Sequence, residues 1–104
     1  MADEEKELEQ EQEKGKLKTA VALEYELGET APKIVATGKG HVAEKIIETA
    51  IAGNVPLHKD EKLANTLSKL EIGDYIPEEL YGVVAEILVM VDRAEGKKKA
   101  LIGG

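Results

Sequence analysis

Along residues 17–27 the side chains alternate, with Thr19, Val21, Leu23 and Tyr25 on one side and Ala20, Ala22, Glu24 and Glu26 on the other. A period of two predicts a half-buried strand. Gly28-Glu29-Thr30 supplies a turn, and Pro32 opens a second strand through Ile34, Val35 and Ala36, at its first residue, where a missing N–H costs least. The pair reads as an antiparallel hairpin. After Gly38-Lys39-Gly40 the period becomes helical, with Val42, Ala43, Ile46, Ile47, Ala50 and Ile51 on one face up to Gly53-Asn54. Val55-Pro56-Leu57-His58 reads as a short third strand. A strand, a helix and another strand in this order predict a right-handed parallel crossover and therefore a mixed sheet. Asp60 is a candidate N-cap for a helix with Leu63, Ala64, Leu67 and Leu70 on its inner face. A third helix starts at Pro77, where Glu78 and Glu79 suit the positive end of its dipole, and buries Leu80, Val84, Ile87, Leu88 and Val91. Val83-Val84 and Val89-Met90-Val91 would suit a strand by propensity alone, but length and the proline start favour helix. The fold class expected is α/β, a small mixed β-sheet packed by helices in a single compact domain over residues 17–94.

The two ends of the chain break the pattern. Residues 2–14 are strong helix formers with only Leu8 to bury, so residues 1–16 are expected to form an acidic tail, helical or disordered. Residues 95–104 combine a glycine, a lysine run, three apolar residues and Gly103-Gly104, and are expected to form a flexible tail. A terminal Gly-Gly is reminiscent of ubiquitin-like carriers, but those folds return to a strand before the tail, whereas here a long helix and lysines precede it.

Charge is concentrated in the same way. The 104-residue chain has a formal charge of −7, and residues 1–14 hold seven acidic groups against two lysines. With three Tyr and no Phe or Trp, it offers neither a phosphate-neutralising stripe nor a stacking platform, which argues against nucleic-acid binding. Its core must be aliphatic, each Val, Ile or Leu contributing roughly 1.5–3 kcal/mol on burial. Absent cysteine excludes disulfides and thiol catalysis. The longest apolar stretch, residues 82–91, is interrupted by Glu86 and falls far short of the ~20 residues needed to span a bilayer, so the expectation is a soluble, cytoplasmic protein without membrane insertion.

Candidate chemistry is sparse. His41 and His58 are the only imidazoles, with no zinc-like spacing, and Ser68 lies on a predicted helix rather than in a nucleophile elbow. Gly38-Lys39-Gly40-His41 lacks the fuller phosphate-loop pattern and reads as a turn. Glu86 has no visible catalytic partner. We therefore expect no enzyme, cofactor or metal site.

Taken together, Ala20-Val21-Ala22-Leu23-Glu24-Tyr25, Ala31-Pro32-Lys33-Ile34-Val35-Ala36-Thr37-Gly38-Lys39-Gly40, Asn54-Val55-Pro56-Leu57, Glu71-Ile72-Gly73-Asp74 and Ile76-Pro77-Glu78-Glu79-Leu80-Tyr81 resemble the C-terminal cytoplasmic domain of the FlhB/YscU/SpaS export-gate family of type III secretion. The resemblance spans roughly residues 20–92. It implies a protein-interaction module of flagellar or type III protein export, acting in substrate export or specificity switching. The implied partners are an export-gate protein's cytoplasmic domain, export substrates or a hook-length control protein, at the cytoplasmic face of the export apparatus. Members of this family cleave themselves at Asn-Pro-Thr-His, where the Asn amide attacks its own carbonyl. Aligned on the Ala-Val-Ala-Leu run, this chain has Gly15, Lys16, Leu17 and Lys18 at those positions, so self-cleavage is not expected. The resemblance also implies an unpaired edge on the first strand, because the strand that normally precedes the cleavage loop is not in this chain. Candidate contact residues, by the same analogy, are Gly15, Lys16, Leu17 and Lys18 with His58, Lys59, Asp60 and Lys62. An export-independent small regulatory or chaperone-like scaffold is the alternative.

Overall fold

In the computed structural model, which describes residues 18–90 and 97–104, the first alternating stretch forms strand β1, Thr19–Glu26. It turns back through residues 27–32 into β2, Lys33–Lys39. The hairpin pairs antiparallel from Thr19 opposite Lys39 to Glu24 opposite Lys33, with a bulge at Ala22/Leu23. Glu29 closes the turn: its N–H donates to Glu26 O at 3.0 Å, and its own carbonyl accepts the Tyr25 hydroxyl at 3.2 Å.

Helix α1, His41–Ala52, begins directly after Gly40, whose φ of 62° is the left-handed conformation that glycine adopts without strain. Gly38 is needed for a different reason, since a Cβ there would collide with the Val42 side chain and crowd Ile46. The helix ends as its periodicity predicts, with Asn54 at φ 59° and the Val55 N–H returning to Ala50 O at 2.8 Å. The buried stripe is narrower than expected. Ala43 is buried and Ile46, Ile47 and Ala50 are half-buried, whereas Val42 and Ile51 are 57% and 62% exposed.

Strand β3, Leu57–Lys59, leads into helix α2, Glu61–Leu67. Asp60 caps α2 as predicted, its carboxylate accepting from the Leu63 N–H at 3.0 Å. A 3-10 turn, Glu78–Leu80, follows Pro77 and runs into helix α3, Tyr81–Val89, which buries Val84 and Leu88. Between α2 and α3 the chain closes the outer edge of β2. Gly73 N–H donates to Ile34 O, Ile34 N–H to Asp74 O, and Ile76 N–H to Pro32 O.

Residues 97–104, expected as part of a flexible tail, are not one. Lys97–Gly103 form strand β4, antiparallel to β1 from Glu26 opposite Lys97 to Ala20 opposite Gly103, and parallel to β3. The sheet order is β2-β1-β4-β3, so β1 is an interior strand and the expected unpaired edge does not exist. Only three apolar residues, Ala100, Leu101 and Ile102, announce this strand in the sequence, yet their exposures are 1%, 0% and 0%. The lysines fit because Lys97 and Lys99 sit opposite Glu26 and Glu24, with Lys97 Nζ 3.9 Å from a Glu24 carboxylate oxygen. The sheet is mixed, as expected, through β3 and β4. The crossover from β2 through α1 does not end beside β2, however, but places β3 beyond β1 and β4.

Helices cover both faces. Val21, Leu23, Ile34, Ala100 and Ile102 pack with Leu63, Ala64, Leu67, Ile76, Val84 and Leu88 on the side of α2 and α3, while Ala20 and Leu101 pack with Ala43 under α1. A strand buried on both faces loses polar alternation, which is why Thr19, Ala20, Val21 and Leu23 are all buried. The acidic segment 2–14 and Val91 lie outside the described residues.

Candidate functional site

Of the residues expected to make contacts, Gly15, Lys16 and Leu17 lie outside the described residues. Lys18, immediately before β1, accepts a hydrogen bond at its carbonyl from the Gly40 N–H at 3.0 Å and places Nζ 3.7 Å from Glu44. His58, Lys59, Asp60 and Lys62 run from β3 into α2. Register brings Lys18 and this loop to one end of the sheet, but β4 stands between them. Thr19 and Gly104 exchange backbone hydrogen bonds of 3.1 and 3.0 Å, and the Asp60 N–H donates to Gly103 O at 2.8 Å. The Thr19 hydroxyl then reaches Asn65 Oδ1 at 3.1 Å and ties β1 to α2. His58, Lys59 and Lys62 point their polar groups into solvent, whereas Asp60 is committed to its cap.

The sequence reading missed an apolar cleft of about 380 Å³ between the hairpin turn and α3. Its floor is Ala31, Pro32 and Leu88, its sides are Tyr25, Tyr81 and Leu27, and Ala85 and Val89 form the rim on α3. Two of the lining positions, Ala31 on the floor and Ala85 on the rim, carry only a methyl group and leave the cleft room. Tyr25 is held in place by its bond to Glu29 O, and the Lys98 ammonium donates to Leu88 O at 2.9 Å, satisfying a carbonyl at the end of α3 and leaving the side-chain stem along the cleft wall. Leu27, 60% exposed, and Val89, 76% exposed, extend the apolar surface outward. The signal in the sequence was the Ala31-Pro32 pair together with Ala85 and Leu88 three residues apart on a helix. Hydropathy cannot separate such residues from core.

Among the described residues no group of three His, Cys, Asp or Glu side chains is placed to hold a metal, and no buried side-chain polar atom lacks a hydrogen-bond partner. No described helix is long and apolar enough to cross a membrane. The cleft can receive apolar side chains of a polypeptide, with backbone and hydroxyl groups at its rim.

Residues 17–91 match the model of the FlhB HrpN YscU SpaS family, which covers both strands of the hairpin, all three helices and every cleft residue except Lys98. The chain belongs to that family. It is 42% identical over 84 residues to the uncharacterized protein YlqH of Bacillus subtilis, covering 80% of this chain and 90% of YlqH. It is also 42% identical over 87 residues to the flagellar biosynthetic protein FlhB of Escherichia coli, covering 82% of this chain but 22% of FlhB. The chain thus spans about a fifth of the length of FlhB. The crystal structure of a mutated EscU C-terminal domain superposes with a TM-score of 0.69 at 34% identity, covering 74% of this chain and 95% of that domain. The resemblance read from the sequence and its α/β fold are both established by these matches. The argument that set ubiquitin-like carriers aside, the want of a final strand, fails, since β4 is such a strand. FlhB-family membership is what decides the matter.

Proposed function

We propose that this chain is a protein-interaction module of flagellar or type III protein export, which binds export partners through the apolar cleft on the α3 side of the hairpin. The cleft carries the proposal: an open, mostly apolar concavity with few fixed polar groups, on a fold shared with export-gate proteins, is suited to receiving short apolar peptide segments. The partners proposed are a gate protein's cytoplasmic domain, export substrates or the hook-length control protein, met at the cytoplasmic face of the apparatus. The exposed end of the sheet, with Lys18, His58, Lys59 and Lys62, is a second contact surface in this reading. With Gly15, Lys16, Leu17 and Lys18 at the cleavage positions, the chain acts unprocessed, in the manner of the downstream half of a processed gate domain, and takes part in export or its switching of specificity.

The test is retention of native-cell proteins by the tagged chain, compared with an Ala85→Glu variant. Ala85 is exposed, so the variant should keep the parent's melting temperature while a carboxylate at the cleft rim reduces partner retention by about ten-fold or more, the scale of an unpaired charge placed against an apolar ligand. Recovery of export components lost in the variant supports the proposal. Recovery of none by the folded parent rejects it in favour of an export-independent scaffold.

A further inference from the structure

On the face of the sheet opposite the cleft, a depression of about 290 Å³ runs along the flank of α1. Small side chains leave it room. Ala22 stands opposite Ala36 in the hairpin, Ala50 of α1 adds a third methyl group, and Val35 and Ile46 complete an apolar lining. Two exposed lysines, Lys45 on α1 and Lys99 on β4, border it. Lys33 and Lys97 of the same sheet sit 3.9 Å from carboxylate oxygens of Glu29 and Glu24, but Lys45 and Lys99 form no ion pair with any described carboxylate.

An apolar hollow between two uncompensated ammonium groups suits an aliphatic side chain carried among carboxylates. The chain has such a segment. Residues 2–14 hold seven acidic groups, Leu8 is their one large apolar side chain, and Glu7 and Glu9 flank it. Reach is sufficient. Lys18 is held at the start of β1 by the Gly40 N–H, which donates to its carbonyl, and Ala22 lies four residues further along, roughly 13 Å away. Leu8 is ten residues before Lys18, a length that spans about 33 Å when extended and about 15 Å at helical rise. Two other apolar hollows suit the segment less. The cleft beside α3 has Lys98, whose ammonium is taken by Leu88 O, and the hollow between β3 and α3 has Glu86 in its lining, which repels carboxylates.

We infer that the depression is a docking site for an acidic segment bearing an aliphatic side chain, and that residues 2–14 occupy it in cis, with Leu8 over the three alanines and carboxylates beside Lys45 and Lys99. Salt weakens the charged part of this contact and leaves the apolar part. The docked segment covers the lysines of this face, so a partner that recognises them has to displace it. The inference goes beyond the reading of the cleft, lies on the other face of the sheet, and does not depend on what the cleft binds.

Two measurements on the full chain test it. A carbodiimide, which joins a carboxylate to an amine only when the two are in contact, is applied at low ionic strength, and the cross-links are located by mass spectrometry. Carboxylates of residues 3–13 should join Lys45 and Lys99 at least about five-fold more often than Lys59 and Lys62, which are also exposed and lie at the end of the sheet where Lys18 stands. Equal yields at all four lysines, or none at any, would overturn the inference. Leu8→Asn keeps every carboxylate, and it should cut the yield at Lys45 and Lys99 by about five-fold or more. In the same variant the amide resonances of Ala22, Ala36 and Thr49 should move while those of Ala31 and Ala85, in the cleft, stay in place. Resonances unmoved at the depression would also overturn it. Cross-links found only between differently isotope-labelled copies would assign the site to the segment of a second copy and overturn the assignment in cis. Ala85→Glu should leave the cross-links as they are, so that failure of the cleft and failure of the depression are read separately.

Discussion

Against α2 and α3 the sheet buries large aliphatic side chains from three strands, two helices and the loop at Ile76; against α1 it fully buries only Ala20, Ala43 and Leu101, with Ala22, Ile46, Ile47, Ala50 and Val55 half-covered. The α1 side also keeps an apolar depression of about 290 Å³ bordered by Ala22, Val35, Ala36, Ile46 and Lys99. The difference follows from residue size. Alanines on β1 and α1 allow close approach, but they remove little surface from water, whereas each Leu, Ile or Val on the other face removes several times more. One face holds the fold together and the other carries a helix that can be altered at modest cost.

The largest test of that contrast is Leu67→Ala. Leu67 is fully buried under the larger core, and its truncation should cost about 3–4 kcal/mol, read as a lowered urea midpoint with an unchanged slope. Adjacent residues on β4 then compare the faces directly. Ile102→Ala, on the α2–α3 side, should cost about 3 kcal/mol, and Leu101→Ala, on the more open α1 side, about 2 kcal/mol, because the thinner layer can settle into the space left. Equal losses would mean that the α1 face is packed as tightly as the other. Next comes Gly38→Ala, which should cost about 1–2 kcal/mol through collision with Val42, and Val42→Ala in the same chain should recover most of it. Smallest is Asp60→Ala, at about 1 kcal/mol for the lost cap of α2, measurable as a small drop in melting temperature.

Elements held by local rules were legible. Strand β1 at 19–26, Pro32 opening β2, Asp60 at the start of α2 and Pro77 before the 3-10 turn and α3 each act within a few residues, and the structure keeps them all, although β1 is buried on both faces rather than half-buried. Strand β4 was not legible, because Ala100-Leu101-Ile102 is too short to show a period and its burial depends on β1, β3 and α1 meeting from distant parts of the chain. Val42 and Ile51 share the helical spacing of the α1 face, but the sheet beneath is too narrow to cover them. Lys18 and the loop from His58 to Lys62 lie at one end of the sheet, yet nothing in the sequence placed Gly103 and Gly104 between them. The cleft escaped for a related reason: Ala31 and Ala85 matter by what they leave empty, and emptiness has no signature in hydropathy.

The register of β1 against β4 also sets a timetable for synthesis. Ala20 is matched to Gly103, so β1 waits for a strand translated much later in the same stretch of chain before the middle of the sheet can close. Contacts so distant along the chain are slow to form and leave strand edges unpaired in the interval. On the ribosome the hairpin and α1 can assemble early, but β1 and β3 must stand open until residues 97–103 have emerged. A nascent chain in that condition is a natural client for a chaperone, and its yield in the cell should depend on how quickly those seven residues follow the rest.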